Sequence, residues 1–409
     1  MRSFYSYAET TPDRAAVVDP PDGTTTSFGD LAARVNQLTH LIVARDLDPG
    51  ASVCVLLPNG AALLAVQRAV LQQPLYLTTI NWHFAAPPEV AHILQDSDAR
   101  IVFTTAEYAR LVREACLLAG LPTDRIVELD RTGGNAEVEA HPLTRPESSA
   151  GGSRMLYTSG TTGKPKGGVR RPLPAGGPDA VAAAAVERAE KYDVNHEGGV
   201  YLSVAPMYHA APPLSYADQA LEVGHTVVIL PRWSAVTALD AIEQYQVTWA
   251  YLVPLMMQDM LEVRDSHRVD VSSLRTVIHT AAPCPPSVKR AMIDWLGPVL
   301  NEVYGGTEGV GHAHHLQGVA GPTRIRRTCA GRGPDHHPGG RTVKGCHPAR
   351  SGRSTSRTPR RRSNITTRPR RRNRHASRTR SRWATSDIST TTGTSTSATA
   401  PQTPSSRVV

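Results

Sequence analysis

The chain has 409 residues, enough to bury a large core and to form two or three domains. Hydrophobic residues make up 40 %, no apolar run reaches 18 residues, and Met1-Arg2-Ser3-Phe4 begins no apolar leader, so neither a transmembrane helix nor a secretory signal is expected. The formal charge of +9 is unevenly placed: residues 318–409 carry 21 Lys or Arg and two Asp, which leaves 24 basic and 34 acidic residues in 1–317, a balance of −10, so nothing about that larger part is basic.

Up to residue 311, helix-like and strand-like segments alternate as in an α/β protein whose parallel strands are covered on both faces. Ser27 stands where it can cap a helix with Leu31, Val35, Leu38 and Leu41 on one face, Asp30 in its first turn and Asp48-Pro49-Gly50 as its stop. A buried strand is expected at 53–57, a helix at 61–71, a second helix at 89–94 and a strand at 101–103. Cys54, Cys116, Cys284, Cys329 and Cys346 are scattered and odd in number, which suits a reduced, cytoplasmic interior.

Met155-Leu156-Tyr157 then feeds a loop of small hydroxylated residues, glycines and lysines: Thr158-Ser159-Gly160-Thr161-Thr162-Gly163-Lys164-Pro165-Lys166-Gly167. Glycine allows positive φ, so successive amides can point at one anion; hydroxyls add short donors, and Lys164 and Lys166 add mobile charge. Such a loop suits a polyphosphate. It is not a P-loop, because Thr158 stands where that pattern has its first Gly and Lys164 is followed by Pro165 rather than Ser or Thr. A glycine-rich surface hairpin is the other reading of the same residues.

Further on, a helix is expected around 182–185 and strands at 201–204, 227–230, 248–253, 277–278 and 299–303, with a helix around 239–245. Pro206-Met207-Tyr208-His209 follows the first of these strands, where a site loop belongs, although a lone His also serves as a structural hydrogen-bonding residue. His279-Thr280-Ala281-Ala282-Pro283-Cys284-Pro285 precedes an amphipathic helix with Val288, Met292 and Trp295. Its small residues let a flat ring approach the backbone, and Cys284 reads as a small filler. Tyr304-Gly305-Gly306-Thr307-Glu308 closes the last clear strand with an aromatic face for stacking, a hydroxyl and a carboxylate. A Gly-Gly turn with a solvated Glu is the bland alternative.

In this order the three motifs resemble the adenylate-forming (AMP-binding) enzymes: acyl-CoA synthetases, luciferases and the adenylation domains of peptide synthetases. Leu75-Tyr76-Leu77-Thr78-Thr79-Ile80-Asn81-Trp82-His83 is similar to the fatty-acid and steroid-acid branch of bacterial acyl-CoA synthetases. The resemblance covers residues 1–311 and implies a layered αβαβα domain that joins a small carboxylic acid to ATP and then to CoA, with no specific nucleic-acid partner. It implies that Thr158, Ser159, Gly160, Thr161, Thr162, Gly163, Lys164 and Lys166 embrace the ATP phosphates. Thr307 would meet the α-phosphate, while Thr161 and Glu308 would hold Mg²⁺. Tyr304 and Gly305 would meet adenine, Ala281 and Ala282 would border adenine and the acyl pocket, and His209 with Trp233 would line the acyl tunnel.

Beyond Gly311 the pattern stops: Val319, Ile325, Val343, Ile365, Trp383, Ile388, Val408 and Val409 are the only Ile, Leu, Val, Met, Phe, Tyr or Trp in 318–409. Disorder is expected there, with an incomplete AMP-binding domain at 1–316 and a low-complexity basic tail at 317–409. The ribose-binding aspartate and terminal lysine domain of the family have no counterpart; Lys344, Asp335 and Asp387 stand in other contexts. Five lysines against forty arginines suggest GC-rich coding, so a shifted reading frame is the favoured account of the tail. A solvated linker, a basic nucleic-acid-binding arm around Arg360-Arg361-Arg362 and Arg370-Arg371-Arg372, and a zinc site drawn from His312, His314, His315, Cys329, His336, His337, Cys346 and His347 are the alternatives. The expected function is therefore AMP-forming acyl-CoA synthesis, and its alternative is a truncated protein that binds nucleotide or acyl ligand without turnover.

Overall fold

The Ser27 hydroxyl accepts the Asp30 amide and opens a helix over Phe28–Ala44, the one that the spacing of Leu31, Val35, Leu38 and Leu41 predicts. The computed structural model describes residues 3–20, 23–83, 86–147, 151–158, 166–167, 177–209, 214–306 and 309–315. All of these lie in one compact unit, Met1–Asp335. The expectations for 317–409, for Ser159 to Lys164, and for Thr307 and Glu308 lie outside the described residues.

The chain begins with α1 (Phe4–Thr10), β1 (Ala15–Asp19), β2 (Thr24–Ser27) and α2 (Phe28–Ala44). A run of strand–helix units follows: β3 (Ser52–Leu56), α3 (Ala61–Leu71), β4 (Tyr76–Thr79), α4 (Pro87–Asp96), β5 (Ala99–Thr105), α5 (Ala109–Ala119) and β6 (Ile126–Leu129). After α6 (Ala136–Glu139) come β7 (Ser153–Arg154) and the small hairpin of β8 (Tyr157–Thr158) with β9 (Lys166–Gly167). The second run is α7 (Gly177–Lys191), β10 (Val200–Ser203), α8 (Ser215–Glu222), β11 (Thr226–Ile229), α9 (Ala235–Gln244) and β12 (Trp249–Leu252). It ends with α10 (Pro254–Val263), β13 (Thr276–His279), α11 (Pro286–Leu296), β14 (Leu300–Gly306) and β15 (Gly309–His315).

These strands make an eight-stranded sheet in the order β15-β14-β13-β12-β10-β11-β1-β2 and a five-stranded sheet in the order β6-β5-β3-β4-β7. The smaller sheet is parallel throughout; the larger is parallel from β14 to β1 and antiparallel only at its two edges. Each sheet has helices on both faces, with α4 and α5 outside the smaller one and α9, α10 and α11 packed together along the larger one. Between the sheets, α3 packs on α2 and α8, and all of its residues from Ala61 to Leu71 are buried. This is the layered α/β arrangement expected, and it explains why β3 and β12 are apolar on both faces. One large core cluster runs through both sheets, while Cys54, Leu56, Val90, Ile93, Val102 and Cys116 form a second cluster under α4 and α5.

Two differences from the sequence reading concern the site. The last strand does not stop at Val303: it runs to Gly306 and pairs with β15, whose Gly309-Val310-Gly311-His312-Ala313-His314-His315 has no apolar alternation and owes its place to the backbone ladder. His279 does not begin a turn. It is the last residue of β13 and is fully buried. No helix among the described residues is long and apolar enough to cross a membrane.

Candidate active site at the shared sheet edge

Parallel strands point the same way, so the chain leaves β10, β11, β12, β13 and β14 at one edge of the larger sheet. From β10 it passes to Pro206-Met207-Tyr208-His209, from β11 to Trp233, from β13 to Ala281 and Ala282, and β14 itself ends in Tyr304-Gly305-Gly306. Residues read from separate parts of the sequence therefore emerge along one edge. The ladder pairs His279 with Glu302, and continuing that register sets Ala281 level with Tyr304. Ala281 has φ of 78°, a left-handed conformation that costs a residue with a Cβ about 1–2 kcal/mol. The strain sits where the backbone turns out of β13.

The His209 segment is tied to the smaller sheet. Thr79, at the end of β4, donates its hydroxyl to the Tyr208 carbonyl at 2.7 Å. Asn59, in the turn after β3, donates to the carbonyls of Ala205 and Leu230 at 3.2 and 3.3 Å and accepts the Met207 amide at 2.8 Å. The Tyr208 ring lies edge-on to Trp82 and to His83, each at 6.0 Å, and 4.5 Å from His209. His209 is exposed at the segment's end, and partial desolvation of its ring lowers its pKa below the usual imidazole value. Trp233, in the loop after β11, is half-buried with its indole N–H held by Asp259 of α10 at 2.7 Å.

The glycine-rich loop has a closed base. Thr158 pairs with Lys166 and Tyr157 with Gly167 across the β8–β9 hairpin. The Met155 amide reaches the Leu77 carbonyl at 2.9 Å, which continues the β4–β7 ladder, and the Tyr157 hydroxyl donates to Asp96 at 2.5 Å. Ser159, Gly160, Thr161, Thr162, Gly163 and Lys164 between these strands lie outside the described residues.

Sequence reasoning passed over two groups of residues that hold this edge in place. Asn59 gave only a faint signal, as one amide in a strand-to-helix turn, Leu57-Pro58-Asn59-Gly60. Asp218 and Glu222 stand four apart in α8, so they share a face, and both are buried. The i, i+4 spacing of the two acids is the one signal the sequence carried, and buried Gln219 beside them masks it.

The model of the family described as AMP-binding enzyme matches residues 4–336. The chain belongs to the AMP-binding enzymes. Relatives of this AMP-binding enzyme include the sulfoacetate–CoA ligase of Cupriavidus necator, 29% identical over 304 residues that span 73% of this chain and 57% of the relative. The 4-coumarate–CoA ligase 5 of Oryza sativa is 30% identical over 312 residues, spanning 72% and 55%, and the long-chain-fatty-acid–CoA ligase FadD13 of Mycobacterium tuberculosis is 26% identical, spanning 69% and 55%. The chain thus spans a little over half the length of the curated relatives it matches. The N-terminal domain of FACL13 from Mycobacterium tuberculosis superposes with a TM-score of 0.64 at 22% identity, over 77% of this chain and 79% of that one. ATP-bound MatB from Rhodopseudomonas palustris superposes with a TM-score of 0.63 at 19% identity, over 78% and 63%. At such identities the superpositions establish the fold of the AMP-binding enzyme and not its substrate. All three motifs of the sequence resemblance fall inside the matched residues.

Proposed function

We propose that this chain carries the site at which a carboxylic acid is activated by ATP, in a protein that forms an acyl-CoA. A carboxylate oxygen bonds to the α-phosphorus as the bond from that phosphorus to the bridging oxygen breaks, giving acyl-adenylate and pyrophosphate. The CoA thiolate then adds to the acyl carbonyl and AMP leaves with the electron pair. The reading rests above all on the shared edge: the His209 segment after β10, the Ala281-Ala282 turn after β13 and Tyr304 near the end of β14 lie at the same ends of parallel strands of one sheet.

The chemistry needs charge neutralisation and in-line placement more than covalent catalysis. The small residues after β13 leave room for a planar base beside Tyr304. His209 would meet the acid at the end of its segment, where partial desolvation of the ring disfavours the charged imidazolium. The hairpin loop with Lys164 and Lys166 takes the β- and γ-phosphates. Mg²⁺ would neutralise phosphate charge, held by Thr161 and Glu308, which lie outside the described residues. The acid we favour is a fatty or steroid-type acyl carboxylate, on the likeness of residues 75–83 to that branch and on FadD13 among the relatives.

Acid-dependent exchange of pyrophosphate into ATP tests the proposal, with fatty, steroid and aryl acids each supplied in turn. Exchange with at least one acid is expected, reduced about 10- to 100-fold in kcat/KM by His209→Ala through lost positioning. A folded protein that binds ATP but exchanges with none of the acids would instead support nucleotide binding without turnover.

A further inference from the structure

Arg154 belongs to β7, a two-residue strand at the edge of the smaller sheet that pairs with β4 and leads within three residues to the β8–β9 hairpin. Its guanidinium turns inward. Nε donates to Gln67 at 3.0 Å, and Nη2 lies 3.7 Å from one oxygen of Asp218. The other Asp218 oxygen takes Nη1 of Arg68 at 2.6 Å. Arg68 also pairs with Glu222, whose second oxygen accepts the Phe4 amide at 2.9 Å. Side-chain exposure is 8% for Arg68, 10% for Asp218, 8% for Glu222 and 23% for Arg154, so two cations and two carboxylates compensate one another in the interior.

The members of this group differ in what they connect. Arg68 and Glu222 join core helices and the N-terminal helix. Arg154 and Asp218 instead join two segments next to the proposed site: Arg154 precedes the hairpin, and Asp218 lies in the first turn of α8, the element that follows the His209 segment. Backbone bonds from the amides of 152, 153 and 155 and the Tyr157–Asp96 hydrogen bond hold this stretch to the smaller sheet and α4, and the Arg154 side chain adds the tie to α3 and α8.

We propose that Arg154 and Asp218 are positioning residues for adenylation, fixing the base of the ATP-phosphate hairpin against the helix that continues from the His209 segment. The inference rests on assigning that hairpin to ATP. Positional errors near one ångström cost about 10²-fold in such reactions, so a loosened hairpin is read chiefly in the handling of ATP.

The experiment uses the full chain and the variants Arg154→Gln, Arg154→Lys, Asp218→Asn and the double variant Arg154→Gln/Asp218→Asn. Two things are measured: hydrogen exchange of the amides at 157–158 and 166–167, and KM for ATP in acid-dependent exchange. Arg154→Gln is expected to speed exchange at the hairpin amides about tenfold or more while β10–β13 amides stay at the wild-type rate, and to raise KM for ATP by about tenfold with KM for the acid nearly unchanged. Arg154→Lys should recover part of both, and the double variant should fall short of the sum of its parts. Asp218→Asn is the variant most prone to unfold, and Arg154→Gln keeps the test open if it does. Hairpin amides that exchange at the wild-type rate in folded Arg154→Gln would overturn the proposal, as would a lower unfolding midpoint with an unchanged KM for ATP. Were the wild type to show no ATP-dependent reaction, the adenylation role would fall, while hairpin exchange would still report whether the anchor exists.

Discussion

His225 sits between two partners: its Nε2 donates to the His196 carbonyl at 2.6 Å, and its Nδ1 accepts the Trp249 indole N–H at 3.0 Å. His279 is as deeply buried, but neither ring nitrogen has a hydrogen-bond partner among the described residues, although the Lys289–Glu302 pair lies nearby. Burial pushes both imidazoles down to about 4; at His279 Glu302 favours the charged form and Lys289 opposes it. With an unfolded value near 6.5, the unfolded chain takes up more protons between pH 6.5 and 4. The stability these groups contribute is complete above pH 6.5 and is lost as pH falls through that window, at about 3 kcal/mol for each histidine. Asp19 acts in the opposite sense, since burial raises it to about 6 against the attraction of Arg131 and its protonated form favours the fold. Urea unfolding at pH 7 and at pH 4.5 checks the balance. His279→Leu should be at least as stable as wild type at pH 7, because no hydrogen bond is lost, and should lose less on acidification. His225→Leu should cost about 1–3 kcal/mol at pH 7, because it strands the Trp249 N–H and the His196 carbonyl. Equal acid sensitivity in His279→Leu and wild type would refute the assignment.

Elements with a cap and a long apolar stripe were legible in the sequence: α2 begins at Ser27 as expected, and α3 and β3 fall within a residue of the expected bounds. The short pieces were not. A two-residue strand such as β7, β8 or β9 has no period to read, and α8 hides its face because Asp218, Gln219 and Glu222 are polar and buried. What sets β7 is close packing at Gly152. Its amide donates to the Leu71 carbonyl at 2.8 Å, and a Cβ there would stand 2.7, 2.8 and 2.9 Å from the carbonyl oxygens of Gln73, Val70 and Leu75. Backbone atoms yield poorly, so Gly152→Ala should destabilise by about 1–3 kcal/mol by overpacking. Because Gly152 adjoins the strand that leads to the hairpin, amides 157–158 should also lose protection before the rest of the smaller sheet does. Unfolding that begins uniformly across the sheet would count against this role.

At the scale of the whole molecule, the motifs could be read from the sequence but their meeting could not. Parallel strands told which ends would carry the loops, whereas the order β14-β13-β12-β10-β11 comes from tertiary packing that no local residue encodes. The join between the sheets was equally silent, since part of it is carried by one buried amide. Asn59 follows a strand of the smaller sheet and bonds main-chain groups at 205, 207 and 230 of the larger one. Asn59→Ala would leave those groups unpaired at about 1–3 kcal/mol each before relaxation, so a net loss of about 2–4 kcal/mol is expected. Its kinetic effect should have a direction as well as a size. The bonds at 205 and 207 hold the segment that ends at His209, so KM for the acid should rise more than KM for ATP, the reverse of the pattern expected for Arg154→Gln. Two variants with opposite splits would show that the ATP and acid sides of the edge are anchored separately, one through β7 and the other through the turn after β3. Matching changes in both constants for both variants would mean that the edge moves as one body, and the separate anchors would have to be abandoned.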